Sequence, residues 1–306
     1  MSSSQIYTVL GGTGFLGSRI VRHLCAGGHR VRVAARDPWR KPELLQSDRV
    51  EPVRADLFDP LTLSTALRDT HGAVNATSLY LERGSLTFDA FHVEGAERLA
   101  RIARETGTSR FVQVSGIGSD QNADDRYIRA RGKGETAVRK AFPAATIVRP
   151  SVMFGPDDAF LTAILTTARR FPVYPLFGSG ETRLQPVHVD DVARAIAQAL
   201  QTEQPAAACY EFAGPDILSY RELVNAVTEA AGLRVRCIAV PFSIWRLLAF
   251  VTERMPGAPL TRSQVALIER DNVAADALPG ICDLGLSRQS ITDFVRKKHQ
   301  IDGSET

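Results

Sequence analysis

The sequence predicts an α/β protein: a doubly wound parallel sheet over residues 5–150, then a smaller C-terminal α+β lobe over 151–300, partly interleaved with the sheet. Three observations carry this. Short β-branched runs alternate with helical stretches from residue 5 to about 150, the pattern of strands joined by crossover helices. The first run meets the first helix through a glycine-rich turn, Gly11-Gly12-Thr13-Gly14-Phe15-Leu16-Gly17. After Pro150 the alternation gives way to short elements separated by prolines near 172–175 and at 186, 205, 215, 241, 256 and 259.

Strands are expected near 5–10, 30–35, 50–54, 72–75, 110–114 and 145–149, and helices near 15–27, 60–69, 88–106 and 126–141. Ile6 to Leu10 form the first strand. Ile20, Val21 and Leu24 then recur at helical spacing, and Gly27-Gly28 stops that helix. Asp89 is placed to cap the third helix, whose Phe91, Ala96, Leu99, Ala100 and Ile102 make a core-facing stripe. In the second half, Asp190 is placed to cap a helix carrying Val192, Ala195, Ile196 and Ala199. The first four residues and the tail beyond about 300 read as unstructured.

The glycine turn stands where a Rossmann-type sheet binds a dinucleotide pyrophosphate. Gly11, Gly14 and Gly17 allow a sharp turn, close approach to phosphate and tight helix packing, while Thr13, Phe15 and Leu16 complete a loop whose N–H groups face the anion. The end of the second strand selects the cofactor. Ala35 stands where an acid would read a 2′-hydroxyl, and Arg36 follows at once, which predicts NADP(H) over NAD(H); Asp37 is the dissenting acid, with Pro38 directing it into a turn. Asp56, followed by Leu57, either accepts from an adenine amino group or caps the turn before Asp59-Pro60. At the end of the sixth strand Arg149 precedes Pro150, which fixes a loop presenting Ser151 and Val152 to a nicotinamide.

A formal charge of +3, spread along the chain, gives no reason to expect nucleic acid as a partner, and Arg296-Lys297-Lys298-His299 reads as a solvated helix end. Cys25, Cys209, Cys237 and Cys282 form no C-x-x-C pair, so neither a metal nor a disulfide is expected and a reducing, cytoplasmic compartment is the default. No signal peptide is expected before the first strand, and no apolar run reaches the ~18 residues of a spanning helix. The chain is therefore not expected to be integral to a membrane. The run from Pro241 to Val251, broken only by Arg246, is either a core helix of the second lobe or a surface for a membrane, a lipophilic ligand or a partner.

Further motifs narrow the reading. Ala55-Asp56-Leu57, Val74-Asn75-Ala76, Val112-Gln113-Val114-Ser115, Tyr127, Val148-Arg149-Pro150-Ser151 and Val187-His188-Val189-Asp190-Asp191 join the glycine turn in one pattern. The chain resembles the extended short-chain dehydrogenase/reductase superfamily over residues 5 to about 200. The resemblance implies a nucleotide site that includes Asn75, Ala76, Ser115, Tyr127 and Arg131. It also implies chemistry by a tyrosine, a lysine four residues on and a hydroxyl at the end of the fifth strand. Here Arg131 stands in the lysine's place and Lys133 lies about 200° further round the helix, while the hydroxyl position best matches Gly116 with Ser115 beside it. The catalytic set is Tyr127, Arg131 and Ser115 in degenerate form.

Segments such as Ser78-Leu79-Tyr80, Phe88 to Gly95, Arg126-Tyr127-Ile128-Arg129, Arg149 to Gly155 and Arg183-Leu184-Gln185-Pro186 are similar to the branch containing the dehydrogenase-like accessory subunit of respiratory complex I and its bacterial relatives. This implies a tightly held NADPH without established turnover, on a peripheral arm near a membrane. Arg183 and Gln185 either line the crevice or lie on a solvated edge strand. His188 with Asp190 and Asp191 is read as local capping rather than a metal site. Phe154, Phe160, Phe171, Tyr174 and Phe177 are mostly core, with the option of walling an apolar pocket.

The expected function is an NADP(H)-binding protein with a structural or sensory nucleotide. It would be a subunit or assembly partner of respiratory complex I or another membrane-associated complex, peripheral at the inner membrane or on the mitochondrial matrix side. The alternative is a soluble NADPH-dependent oxidoreductase acting on a lipophilic carbonyl or quinone.

Overall fold

In the computed structural model, residues 4–202, 209–253, 255 and 260–304 are described. Pro205, Pro256 and Pro259, expected to mark turns, lie outside them, as do the first three residues. The chain divides into two compact units: Met1–Arg149 with Val189–Glu211 and Leu278–Leu286, and Pro150–His188 with Phe212–Ala277 and Ser287–Thr306.

The first unit is built on a seven-stranded sheet. Its strands are β1 (Ile6–Leu10), β2 (Arg30–Ala35), β3 (Val50–Arg54), β4 (Gly72–Asn75), β5 (Arg110–Val114), β6 (Thr146–Pro150) and, far along the chain, β11 (Cys209–Phe212), in the order β11-β6-β5-β4-β1-β2-β3. β1 pairs in parallel with both β2 and β4, so the strand order reverses there and opens a crevice at their carboxyl ends. The first helix, α1 (Gly17–Ala26), buries Ile20, Val21 and Leu24 completely. Each such burial is worth about 1.5–3 kcal/mol. α2 (Pro60–Leu67) is capped by Asp59, which accepts from the Leu61 and Thr62 amides. α3 (Ala96–Glu105) sends Leu99, Ala100 and Ile102 into a core with Leu63, Phe111 and Ile147. α4 (Arg126–Ala141) is capped by Asp125, and α6 (Val189–Gln201) completes the unit.

Two local expectations are corrected. Asp89 does not cap the third helix: the chain is already helical at Phe88, and Thr87 Oγ1 accepts from Ala90 N at 3.1 Å. Asp89–Gly95 is a π-helical turn that runs straight into α3. Asp190 lies inside α6 rather than ahead of it, and its carboxylate stands 3.1 Å from His23 Nε2.

The second unit holds β7 (Met153–Phe154), α5 (Ala159–Arg170), β8 (Val173–Phe177), β9 (Arg183–Leu184), β10 (Val187–His188), β12 (Leu218–Ser219), α7 (Tyr220–Ala230), β13 (Arg236–Val240), α8 (Phe242–Thr252), α9 (Arg262–Ile268) and α10 (Ile291–Ser304). The strands make three two-stranded ribbons, β10-β7, β12-β9 and β13-β8. Its core gathers Phe154, Ile164, Tyr174, Leu176, Leu223 and Val227, with Phe160 and Phe177 packed at its edge. Phe171, expected among the core aromatics, is 53% exposed. The tail expected to be unstructured beyond about 300 stays helical to Ser304.

α8 is not a core helix. Only Ala249 and Thr252 of its residues are buried, whereas Ile244, Leu247, Leu248, Phe250 and Val251 face solvent and Leu247 reaches 66% exposure. Among the described residues no helix is long and apolar enough to cross a membrane.

Candidate functional site

The glycine turn closes the carboxyl end of β1. Gly11 has φ of +75°, a conformation natural to glycine, and its amide donates to Ala34 O at 2.9 Å. A Cβ on Gly17 would stand 2.1 Å from Gly11 O, so only glycine lets α1 begin directly over the turn. Among the described residues no backbone carbonyl takes the N–H of Thr13, Phe15 or Leu16. A glycine cradle with free amides at the start of a ten-residue helix fits the pyrophosphate of a dinucleotide.

Arg36 follows β2 directly, is exposed, and makes no hydrogen bond or ion pair among the described residues. Lys41, which sequence reasoning passed over, donates from Nζ to Ser18 Oγ at 3.2 Å and brings a second cation to the first turn of α1. Asp56 caps its own turn, accepting from Phe58 N at 3.0 Å with Oδ1. Leu57 is buried in the core beside it. At the end of β4 the Asn75 side chain donates to Gln113 Oε1 and accepts from Thr77, while Ala76 O lines the floor beneath Gly11.

Tyr127 and Arg131 lie one turn apart on α4. Arg131 Nη1 donates to Tyr127 Oη at 2.9 Å. The phenol ring is sealed: Tyr80 stacks on it at 5.7 Å, and Phe88 and His92 meet it edge-on at 5.3 and 5.4 Å. Burial pushes the Tyr127 phenol up to about 12, against the opposing pull of the Arg131 charge. Burial, helped by the same charge, holds the His92 imidazole down at about 4. The π-helical turn is what carries His92 here, and periodicity alone could not have found it.

Ser115 is turned away from Tyr127 in its bonding. Its Oγ donates to Glu135 Oε1 at 2.5 Å, and Glu135 is gripped by Arg149 through Nε at 2.9 Å and Nη2 at 2.6 Å. Arg149 Nη1 also reaches Glu211 Oε1 at 3.4 Å, and both carboxylates are buried. The hydrogen-bonded Glu135 carboxylate raises the Arg149 pKa further. A small polar hollow lies beside it, lined by His92, Gln113, Ser115, Arg131 and Glu135.

Several candidates of the second unit are held in internal hydrogen bonds. Ser151 Oγ donates to Gln185 O at 2.5 Å, and Val152 N donates to Asn272 Oδ1 at 2.7 Å, while Pro150 closes β6. Gln185 is buried between Gly214 O and Ala274 N, and Arg183 is exposed and paired with Asp271 at 2.7 Å. Among the described residues no group of His, Cys, Asp and Glu is arranged to hold a metal ion.

Comparison with known proteins agrees with this geometry. Residues 11–203 match the family described as NAD(P)H-binding. The chain is 31% identical to NADH dehydrogenase [ubiquinone] 1 alpha subcomplex subunit 9 of Arabidopsis thaliana, over 88% of this chain and 69% of that one. It is also 31% identical to the ceramide reductase of Caulobacter vibrioides, over 77% and 74% of the two chains. Among solved structures, the NADPH-dependent quinone oxidoreductase QOR2 of Escherichia coli, complexed with NADPH, shares the fold with a TM-score of 0.77 at 16% identity, over 95% of this chain and 99% of that one. The chain thus belongs to the NAD(P)H-binding family and, within it, to the extended short-chain dehydrogenase/reductase branch that holds complex I subunits and bacterial reductases.

Proposed function

We propose that this protein holds NADP(H) as a structural or sensory cofactor and works as a subunit or assembly partner of respiratory complex I. One observation carries the reading: the glycine turn leaves the Thr13, Phe15 and Leu16 amides without backbone partners among the described residues, whereas the phenol that would do chemistry is sealed under Tyr80 and already bonded to Arg131. The free Arg36 at the end of β2 supports NADP(H) over NAD(H). Similarity to the complex I subunits supports the partner, and the exposed apolar face of α8 supplies a surface for it.

Native gel analysis of gently solubilised membranes from the source cells tests this. Co-migration with a large respiratory complex is expected, and its loss in a Leu247→Glu/Val251→Glu variant would identify α8 as the docking surface. Migration of the unaltered protein only as a free monomer or dimer would contradict the assignment.

A second reading is favoured by the retained Tyr127 and by the similarity to ceramide reductase: an NADPH-dependent reductase of a lipophilic carbonyl. In that case Tyr127→Phe would abolish turnover and leave NADPH affinity within a few-fold.

A further inference from the structure

Tyrosine-driven carbonyl reduction requires one substrate oxygen to touch two groups, the phenol and a hydroxyl at the end of the fifth strand. In this chain the space between those two positions is already filled. Arg131 Nη1 bonds Tyr127 Oη at 2.9 Å, and a Cβ built on Gly116 would stand 2.7 Å from Nη1, 2.7 Å from Nη2 and 2.9 Å from Cζ. The guanidinium therefore bridges Tyr127 Oη and residue 116. A carbonyl oxygen held by both would have to lie where that guanidinium lies.

We propose that Arg131 is a resident plug in the substrate-oxygen position, and that Gly116 is the vacancy that admits it. The two departures from the catalytic pattern are then one event. A lysine at 131 would carry a compact ammonium without the fork that fills the gap, and a side chain at 116 would displace the fork. The position of the plug is supported from two sides. The guanidinium carbon lies 5.3 Å from the centre of the Tyr127 ring, and Arg131 shares the polar hollow with Glu135. Glu135 and Glu211 are buried and both pair with the half-buried Arg149, and Arg131 lines the hollow beside Glu135, so the second guanidinium balances the second carboxylate there.

This inference rests on the proposed nucleotide-holding role and explains how the site is kept silent. It is tested with Gly116→Ser, Arg131→Lys, Arg131→Ala and the combinations of Gly116→Ser with each, using NADPH and 9,10-phenanthrenequinone, a reactive diketone, as probe. In the Gly116→Ser/Arg131→Lys variant the slot is open. Hydride passes from the nicotinamide to a carbonyl carbon, the C=O electron pair moves onto oxygen and takes the Tyr127 proton, and solvent reprotonates the phenolate. NADP+ and the hydroxyketone are the products.

Two results are expected together. Gly116→Ser lowers the melting temperature by about 2–4 °C when Arg131 is present and by less than about 1 °C in the Arg131→Ala background. The Gly116→Ser/Arg131→Lys variant consumes NADPH with the probe at least about tenfold faster than the unaltered chain and either single variant. The plug is overturned if the melting penalty is the same with and without the Arg131 side chain, or if that double variant binds NADPH normally and is no faster than the unaltered chain. A silent double variant would overturn the plug alone. Turnover by the unaltered chain that vanishes in Tyr127→Phe would overturn the nucleotide-holding role as well.

Discussion

Replacing Arg36 by alanine removes the positive charge that the end of β2 offers to a 2′-phosphate. Arg36 is exposed and has no partner among the described residues, so nothing inside the protein competes for it and its removal strands no buried carboxylate. A hydrogen bond to a charged group contributes about 1.5–3 kcal/mol, and solvent exposure places this one toward the lower end. At 1.4 kcal/mol per tenfold, NADPH should bind about ten- to thirtyfold more weakly in Arg36→Ala. NADH lacks the phosphate, so its affinity should change by less than about twofold on the same scale. Fluorescence titration with each cofactor, at low and high ionic strength, reads both numbers, and salt should narrow the gap between them. Equal weakening of NADPH and NADH, or tighter NADH binding by the unaltered chain, would refute the cofactor assignment.

Other consequences follow from the same geometry. In Gly17→Ala the new Cβ would meet Gly11 O at 2.1 Å, so α1 must move off the turn; a stability loss of about 1–3 kcal/mol by urea unfolding and at least about tenfold weaker NADPH binding are expected. His92 gives a pH signature. The unfolded imidazole takes a proton near 6.5 and the folded one only near 4, so stability is held above pH 6.5 and declines by about 3 kcal/mol as pH falls to 4; urea unfolding across that range should show the decline, and His92→Gln should flatten it. Arg149→Leu would leave the buried Glu135 and Glu211 facing each other without their cation, a loss of about 3–5 kcal/mol measurable by urea unfolding at neutral pH.

The first unit was legible because its physics is local. The β-branched runs from Ile6 to Leu10 and from Arg30 to Ala35 sit where the pattern placed them, and the 126–141 helix matches α4 at both ends. What escaped depended on distant or subtle geometry. β11 joins the sheet edge beside β6 only after the chain has passed through the second unit, so no neighbouring alternation announces it. The π-helical turn before α3 reads as ordinary helix in composition, yet it decides that His92 meets Tyr127. α8 is apolar enough for a core, and only the packing reveals that its apolar side chains are left outside. At the site, the sequence exposed the missing lysine and hydroxyl, but the steric link between Gly116 and Arg131 is a matter of ångströms.

The most direct test of the central claim is the nucleotide recovered from protein purified gently from its source cells, measured by chromatography for the unaltered chain and for Tyr127→Phe. About one NADP(H) per chain in both, with the same ratio of reduced to oxidised form, is the result expected of a held cofactor that Tyr127 does not turn over. Absence of nucleotide from the unaltered chain, or a reduced fraction that rises when Tyr127 is removed, would contradict it.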